Sequence, residues 1–389
     1  MKINKVMLAA VLGLGVATVS QAADVFISGS TAMRSTIYNA MLTPGCVFSS
    51  APTFTGYGGS GSGDTYMGFT GTLVGGSGTV NVLCFWSGSE AGIKDVAAGQ
   101  SETFIADGAL NGVDNAGTPT GANAQTAVVN LCMADNAQQF SRTTTPVLTQ
   151  GAEVGIVTFK WLRNQGNWTG SDVTDSQIQQ ALGGACPIEV FTGVNDGSAD
   201  TNYVYVAGRD TSSGTRANAL GDSGFGILQP VNQVILSSGA IQGPPFTSNS
   251  GQSSGGTLAK SITYNTVSTA DPVNGVTGFS IIAYLGFSDA ATALAGTGGG
   301  VAATELTYDG VAFSVGNIEN GTYTFWGNEY CYAANGVNSS SNPAAQLTFT
   351  DLTSNIHGLD TAFAPFGAAI PLDQMQCSRS GPLGGPSHF

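Results

Sequence analysis

The sequence predicts two α/β lobes, each a mixed sheet flanked by helices, with a ligand cleft between them. Three observations lead there. A strand, a Ser/Gly turn and a helix recur three times, at Ser28-Gly-Ser-Thr31, Ser87-Gly-Ser89 and Ser212-Ser-Gly-Thr215. The chain has 389 residues, beyond the size at which a single hydrophobic core usually stops growing. Its 56 glycines and 9% charged residues describe an ordered, loop-rich chain with short helices and many strands.

The amino end reads as a secretory signal. Lys2 and Lys5 precede an apolar stretch over 6–19, and Ser20-Gln-Ala22 is a small-residue cleavage site, so the mature chain begins near Ala23. No Leu-x-x-Cys lipid box follows. The longest later apolar run, 279–287, is too short for a membrane span. A soluble product in the periplasm or outside the cell is expected. Cleavage leaves about 366 residues and removes two of the eleven basic residues, moving the formal charge from −14 to about −16. Such a chain suits neither nucleic acid nor an anionic membrane, although clustered N–H donors can still hold a small anion. Six cysteines (Cys46, Cys84, Cys132, Cys186, Cys331 and Cys377) in an exported chain predict disulfides. With no C-x-x-C pair and only His357 and His388 to join them, no metal site is expected, and no cofactor.

In chain order, 24–28 reads as a strand, and Met33, Ile37 and Met41 recur at helical spacing after the first turn. Residues 56–63 are a Gly/Ser loop, 80–86 a buried strand and 90–98 a short helix. The run 103–106 is strand-like and ends on Asp107, and 109–126 reads as an excursion. Residues 154–159 resemble a crossover strand, and a helix opens at Thr174 or Asp175 and closes at Gly183-Gly184. The alternating run 202–208 leads through Arg209 and the third turn into a helix over 216–220. Residues 242–256 are loop, 275–293 strand then helix, and 322–332 an aromatic strand returning to the first lobe. The tail from Ile370, rich in Gly, Pro and Ser, carries no predicted element.

Each turn places hydroxyls and backbone N–H groups at a helix N-terminus, and in open α/β sheets ligands gather at such strand ends. Arg209 adds a guanidinium fork to the third, a geometry suited to a tetrahedral oxyanion. The bland alternative is that the Ser and Thr residues are simple helix caps. Other chemistry finds little support. Gly251-Gln-Ser-Ser-Gly255 matches a hydrolase elbow in letters but reads as loop, and a triad would have to use His357. Trp86, Trp161, Trp168 and Trp326 read as core.

Four motifs make the chain resemble the periplasmic phosphate-binding proteins of the phosphate-specific ABC importer, of the type II periplasmic binding-protein superfamily. Ser28-Gly-Ser-Thr-Ala32 is similar to that family's N-terminal Gly-Ala-Thr-Phe turn, and Gly88-Ser-Glu-Ala-Gly-Ile-Lys94 to its Gly-Ser-Ser-Gly-Gly-Val-Lys segment. Thr103-Phe-Ile-Ala-Asp107 resembles its strand ending in Ala-Ser-Asp, and Arg209-Asp-Thr-Ser-Ser-Gly-Thr215 its Arg-x-x-x-Ser-Gly-Thr. The resemblance implies a signal over 1–22, a first lobe over 23–155, a second over 156–321, and a return segment with tail over 322–389. It implies inorganic phosphate as ligand, an ABC permease as partner, a monomer, and no enzymatic activity. It implies Thr31 and Ser89 as donors from the first lobe, with Ala32 offering its backbone N–H. Arg209, Ser213, Gly214 and Thr215 would donate from the second lobe. Asp107 would accept, which requires a ligand with a proton to give: hydrogen phosphate has one and sulfate does not. Ala32 replaces the family's aromatic, and Glu90 and Asp210 bring extra negative charge to the turns, with Arg34 as a nearby cation. The alternatives are a surface or matrix protein on the same fold, and a secreted phosphoesterase.

Overall fold

The computed structural model describes residues 22–194, 202–242, 249–356, 369–379 and 385–388. Most of the signal and His357 lie outside them. The strands that position the site are β1 (Ala23–Gly29), β2 (Thr53–Tyr57), β3 (Tyr66–Gly71), β4 (Val80–Phe85), β5 (Leu131–Ala134), β6 (Gln150–Arg163), β7 (Tyr203–Ala207), β8 (Ser280–Gly286) and β9 (Trp326–Ala333). The helices are α1 (Arg34–Leu42), α2 (Ser89–Ala98), α3 (Asp175–Leu182), α4 (Gly214–Asp222), α5 (Gly255–Ser261), α6 (Phe287–Leu294) and α7 (Pro343–Asn355).

These strands share one mixed sheet in the order β7-β8-β6-β9-β5-β1-β4-β3-β2. Parallel pairs join β1 to β4 and β5, and β7 to β8. The join between the two halves is β6. Its amino-terminal part pairs with β9 and its last five residues pair with β8. At about 3.3 Å per residue this strand runs roughly 46 Å. Its last ten residues are all buried, as a near-continuous apolar run covered on both faces requires.

Helices cover both faces. In the first half, Ile37 and Met41 of α1 and Leu352 of α7 pack with Val25 and Ile27 of β1 on one side. Ile93 and Val96 of α2 pack with Leu83 and Cys132 on the other. In the second half, Ile178 of α3 and Leu220 of α4 join Val204 and Val206, while Leu258 of α5 and Ala290 of α6 cover Tyr205 and Ile281. The architecture is therefore mixed α/β, a large sheet flanked by helices, consistent with a type II periplasmic binding-protein form.

Local signals explain the ends. Thr174 Oγ1 accepts from the Gln177 N–H at 3.4 Å while Gln177 Oε1 accepts from the Thr174 N–H at 2.9 Å, the capping box that starts α3 at the expected residue. All four tryptophans are buried. The Gly251–Gly255 stretch is not wholly loop, because Ser254 caps α5. The tail is also better formed than composition suggests: Ala369–Ile370 pairs with β6, and Arg379 meets Asp222 at 2.8 Å.

The disulfide expectation is overturned. All six cysteines are buried and free. Cys331 and Cys132 are the instructive pair, because they lie on neighbouring strands. Tyr332 stands opposite Cys132 and Met133 opposite Cys331, so the two thiols are one residue out of register and point to opposite faces. They belong to different hydrophobic clusters. Each cysteine acts as a small apolar side chain, and burial pushes the Cys46 thiol up to about 12 and that of Cys186 to about 11.

Candidate functional site

Three strand ends, β1, β4 and β7, bring their turns around one residue, Asp135, which follows β5, and the first turn bonds its carboxylate. Beyond β1, the Ser30 N–H donates to Met133 O at 2.8 Å. Gly29 has φ +122°, and a side chain there would strike the Met133 carbonyl, so only glycine lets the turn lie this close to β5. Ser30 Oγ donates to Asp135 Oδ1 and accepts the Met33 N–H at 3.1 Å. Beyond β4, the Gly88 N–H donates to Gly29 O at 2.8 Å. Ser89, first residue of α2, accepts the Asp135 N–H on its Oγ at 3.1 Å.

The third turn arrives from the other half of the sheet. Ser213 caps α4, its Oγ accepting the Arg216 N–H at 3.2 Å. Ser212 O accepts the Glu90 N–H at 3.0 Å, so the second and third turns are bonded directly. A Cβ on Gly214 would lie 2.8 Å from Asp135 Oδ2 and overlap Ser89 Oγ. Asn218 Nδ2, one turn along α4, donates to Asp135 O at 3.0 Å. Ser89, Asp135, Ser213 and Thr215 are all buried.

Arg209 is buried as well, but most of its fork is engaged. Nε donates to Gln252 O at 3.2 Å and Nη2 to Ser253 O at 3.1 Å. Nη1 lies 3.3 Å from where a Gly255 Cβ would stand, a point that Asp289 Oδ2 also crowds. Burial pushes the Asp289 carboxyl up, with Arg209 and Arg34 pulling it back. Thr31, Ala32, Arg34 and Ser35 at the start of α1 face Phe287 and Asp289 of α6 across a cavity of about 380 Å³. The Arg34 guanidinium is pushed down mainly by burial, with Asp289 and Asp64 opposing.

The structure thus brings Ser89 and the Ser213–Thr215 turn together, whereas Thr31 and Ala32 line the cavity toward α6 and Arg209 lies near Asp289. It does not bring Asp107 to them. That carboxylate accepts from Gln125 Nε2 at 3.1 Å and acts on Asp24, at the amino end of β1. Six residues of strand separate Asp24 from Ser30, about 20 Å. The strand leading to Asp107, Ser101–Ile105, pairs only with Ala124–Val128, outside the main sheet. Its Ser-Glu-Thr start suits a half-exposed ribbon. The segment that lies beside β1 is Leu131-Cys-Met-Ala-Asp135, and its four consecutive apolar residues are the signal of a buried parallel strand.

The extra acids are accounted for. Glu90 accepts from Asn136 Nδ2 at 2.8 Å and from the Arg142 N–H at 2.7 Å. Asp210 accepts the Ser212 N–H at 3.0 Å rather than pairing with Arg209. Beside Asp135 lies Glu329 of β9, fully buried, which no local motif singles out. Burial first and Asp135 second push its carboxyl well above the usual range. Among the described residues, no three His, Cys, Asp or Glu side chains gather to hold a metal, and no helix is long and apolar enough to cross a membrane.

Fold and site together define a mixed α/β protein, one large sheet flanked by helices, with three Ser/Gly turns packed around one acid. No family model matches the chain, and no curated protein matches it. Solved structures do show a likeness. One is described as a phosphate ABC transporter substrate-binding protein with bound phosphate, from Clostridium perfringens. It is 16% identical, with 90% of this chain and 99% of that one covered, at a TM-score of 0.49. Another is an ABC-type phosphate transport receptor from Vibrio cholerae, 12% identical, covering 89% and 99%, at 0.46. A third, from Planctomyces limnophilus, is described as a possible phosphate-binding protein, 13% identical, covering 90% and 93%, at 0.41. At these identities and TM-scores no residue assignment rests on the likeness.

Proposed function

We propose that the protein is an exported solute-binding protein that closes two lobes, 23–155 with 322–389 and 156–321, around hydrogen phosphate. Thr31, the Ala32 N–H and Ser89 donate from the first lobe, and Arg209, Ser213, Gly214 and Thr215 from the second. Asp135 takes the acceptor role expected of Asp107. The observation that supports this reading is the packing of three Ser/Gly turns, from both halves of the sheet, around the one residue Asp135: Ser30 Oγ donates to its carboxylate, Ser89 Oγ accepts its main-chain N–H, and Gly214 packs beside its second carboxylate oxygen. Fixed N–H and hydroxyl donors select an oxyanion, and one fixed acceptor selects an oxyanion that still carries a proton. Closure removes water and strengthens each contact. Capture needs no covalent step, so the protein acts as a receptor, delivering its ligand to an ABC permease.

A second reading has its own support. Ser30 Oγ already serves Asp135, and two Arg209 nitrogens serve backbone carbonyls, an arrangement that also suits a surface protein holding this fold without a ligand. Calorimetric titration with phosphate separates them. Wild type should bind and Arg209→Ala should lose about tenfold or more, as removal of a charged hydrogen-bond donor does. No heat with wild-type protein selects the ligand-free reading.

A further inference from the structure

Glu329 raises a problem of charge. It is fully buried, and no donor meets either carboxyl oxygen in full hydrogen-bond geometry. In the antiparallel pairing of β9 with β5, Tyr330 stands opposite Ala134. Just beyond that pair, where the register of β9 shifts between Glu329 and Tyr330, the Glu329 carboxyl comes within hydrogen-bonding reach of the Asp135 carboxyl. Like charges so placed repel strongly. Two ionised carboxylates in a dry site cannot both persist, so one must carry a proton.

The groups facing Glu329 supply it no cation. Ser30 Oγ, from the turn after β1, donates to Asp135 and pulls the Glu329 carboxyl back only in part, and the Asp135 main chain is fixed by Ser89 and Asn218. The thiols of Cys132 and Cys331 and the hydroxyl of Tyr332 lie near Glu329 and are uncharged. Asp95 of α2 adds a further acid beside Cys132. Glu153 of β6 holds Asn328 and Tyr330. Arg379, also near this end of β9, meets Asp222 at 2.8 Å.

We infer that Glu329 is a neutral acid at physiological pH whose proton is shared with Asp135, so that the buried pair beneath the three turns carries one negative charge rather than two. Glu329 is thereby a positioning residue: it holds Asp135 from below and keeps its free oxygen an acceptor for the ligand's own proton. The role in ligand selection rests on the phosphate reading above. The protonation of Glu329 does not.

The test uses the full mature chain, first with no anion added. Infrared difference spectra at pH 7 should show a protonated carboxylic-acid band in wild type that is absent in Glu329→Gln. The band should shift in Asp135→Asn, which changes its hydrogen-bond partner and serves if the Glu329 variant does not fold. In phosphate calorimetry, Glu329→Gln should keep affinity within about threefold, because the amide is a neutral, donating isostere. A wild-type minus Glu329→Gln difference spectrum without the acid band overturns the inference, whatever phosphate does. So does a loss of more than about tenfold in Glu329→Gln, which would mean that the ionised form acts in binding. A band present with no phosphate binding in any variant defeats the phosphate reading and leaves the proton assignment standing.

Discussion

Gly214 packs closely between the turns of the two halves, and Gly214→Ala tests that contact. The added methyl would lie 2.6 Å from Ser89 Cβ and 2.8 Å from Asp135 Oδ2, and would overlap Ser89 Oγ. Ser89 Oγ could rotate aside, losing the bond from the Asp135 N–H, about 1 kcal/mol. Ser89 Cβ cannot rotate aside, so backbone must part, a distortion that costs about 1–3 kcal/mol. Alanine at the first residue of α4 recovers up to about 1 kcal/mol of helix propensity. The net loss is about 1–3 kcal/mol, or roughly 1–4 °C in Tm for a chain of this size. Thermal unfolding followed by circular dichroism reads it. Gly316→Ala is the control, because no atom lies within 4 Å of its added methyl, and it should leave Tm unchanged or slightly raised. Gly214→Ala melting at or above wild type would refute the close packing of Gly214 on Ser89 and Asp135.

Asp351 of α7 gives a pH test. Burial pushes its carboxyl up to about 7, with the Asn355 hydrogen bond opposing. An acid whose folded value exceeds its unfolded one binds more protons when folded. Its contribution to stability is therefore greatest in acid and is lost as pH rises from about 4 through 7. Asp351→Asn should flatten that fall in Tm between pH 5 and pH 8, and an unchanged slope would contradict it. The thiols give a second check: six should react per chain after unfolding without reductant and essentially none before, since all six are buried and free. Four or fewer after unfolding would restore a disulfide.

Much of the scaffold was legible because its signals are local. The alternating run ending at Ala207, the capping pair Thr174 and Gln177, and the apolar residues around Phe159 each carry their own period or cap, and each became the expected element. The turns at Ser89 and Ser213 were legible for the same reason. The acceptor was not, because two segments end in Ala-Asp and local pattern could not say which lies beside β1. Sheet neighbourhood puts the segment ending in Asp135 beside β1, and that is a long-range property. Glu329 was invisible on similar grounds: an acid in an aromatic strand looks like an edge residue until the register with β5 buries it. The disulfide expectation failed because compartment and count say nothing about which face of a strand a thiol occupies.

The most direct test of the proposed cleft is a paired calorimetric titration of Asp135→Asn and Asp107→Asn with phosphate and with sulfate. Asp107→Asn should bind phosphate as wild type does and continue to reject sulfate. Asp135→Asn should lose phosphate affinity by about tenfold or more and narrow the gap between the two anions, since the fixed acceptor is gone. The reverse pattern, with Asp107→Asn impaired and Asp135→Asn unchanged, would contradict the assignment of Asp135 as the centre of the site.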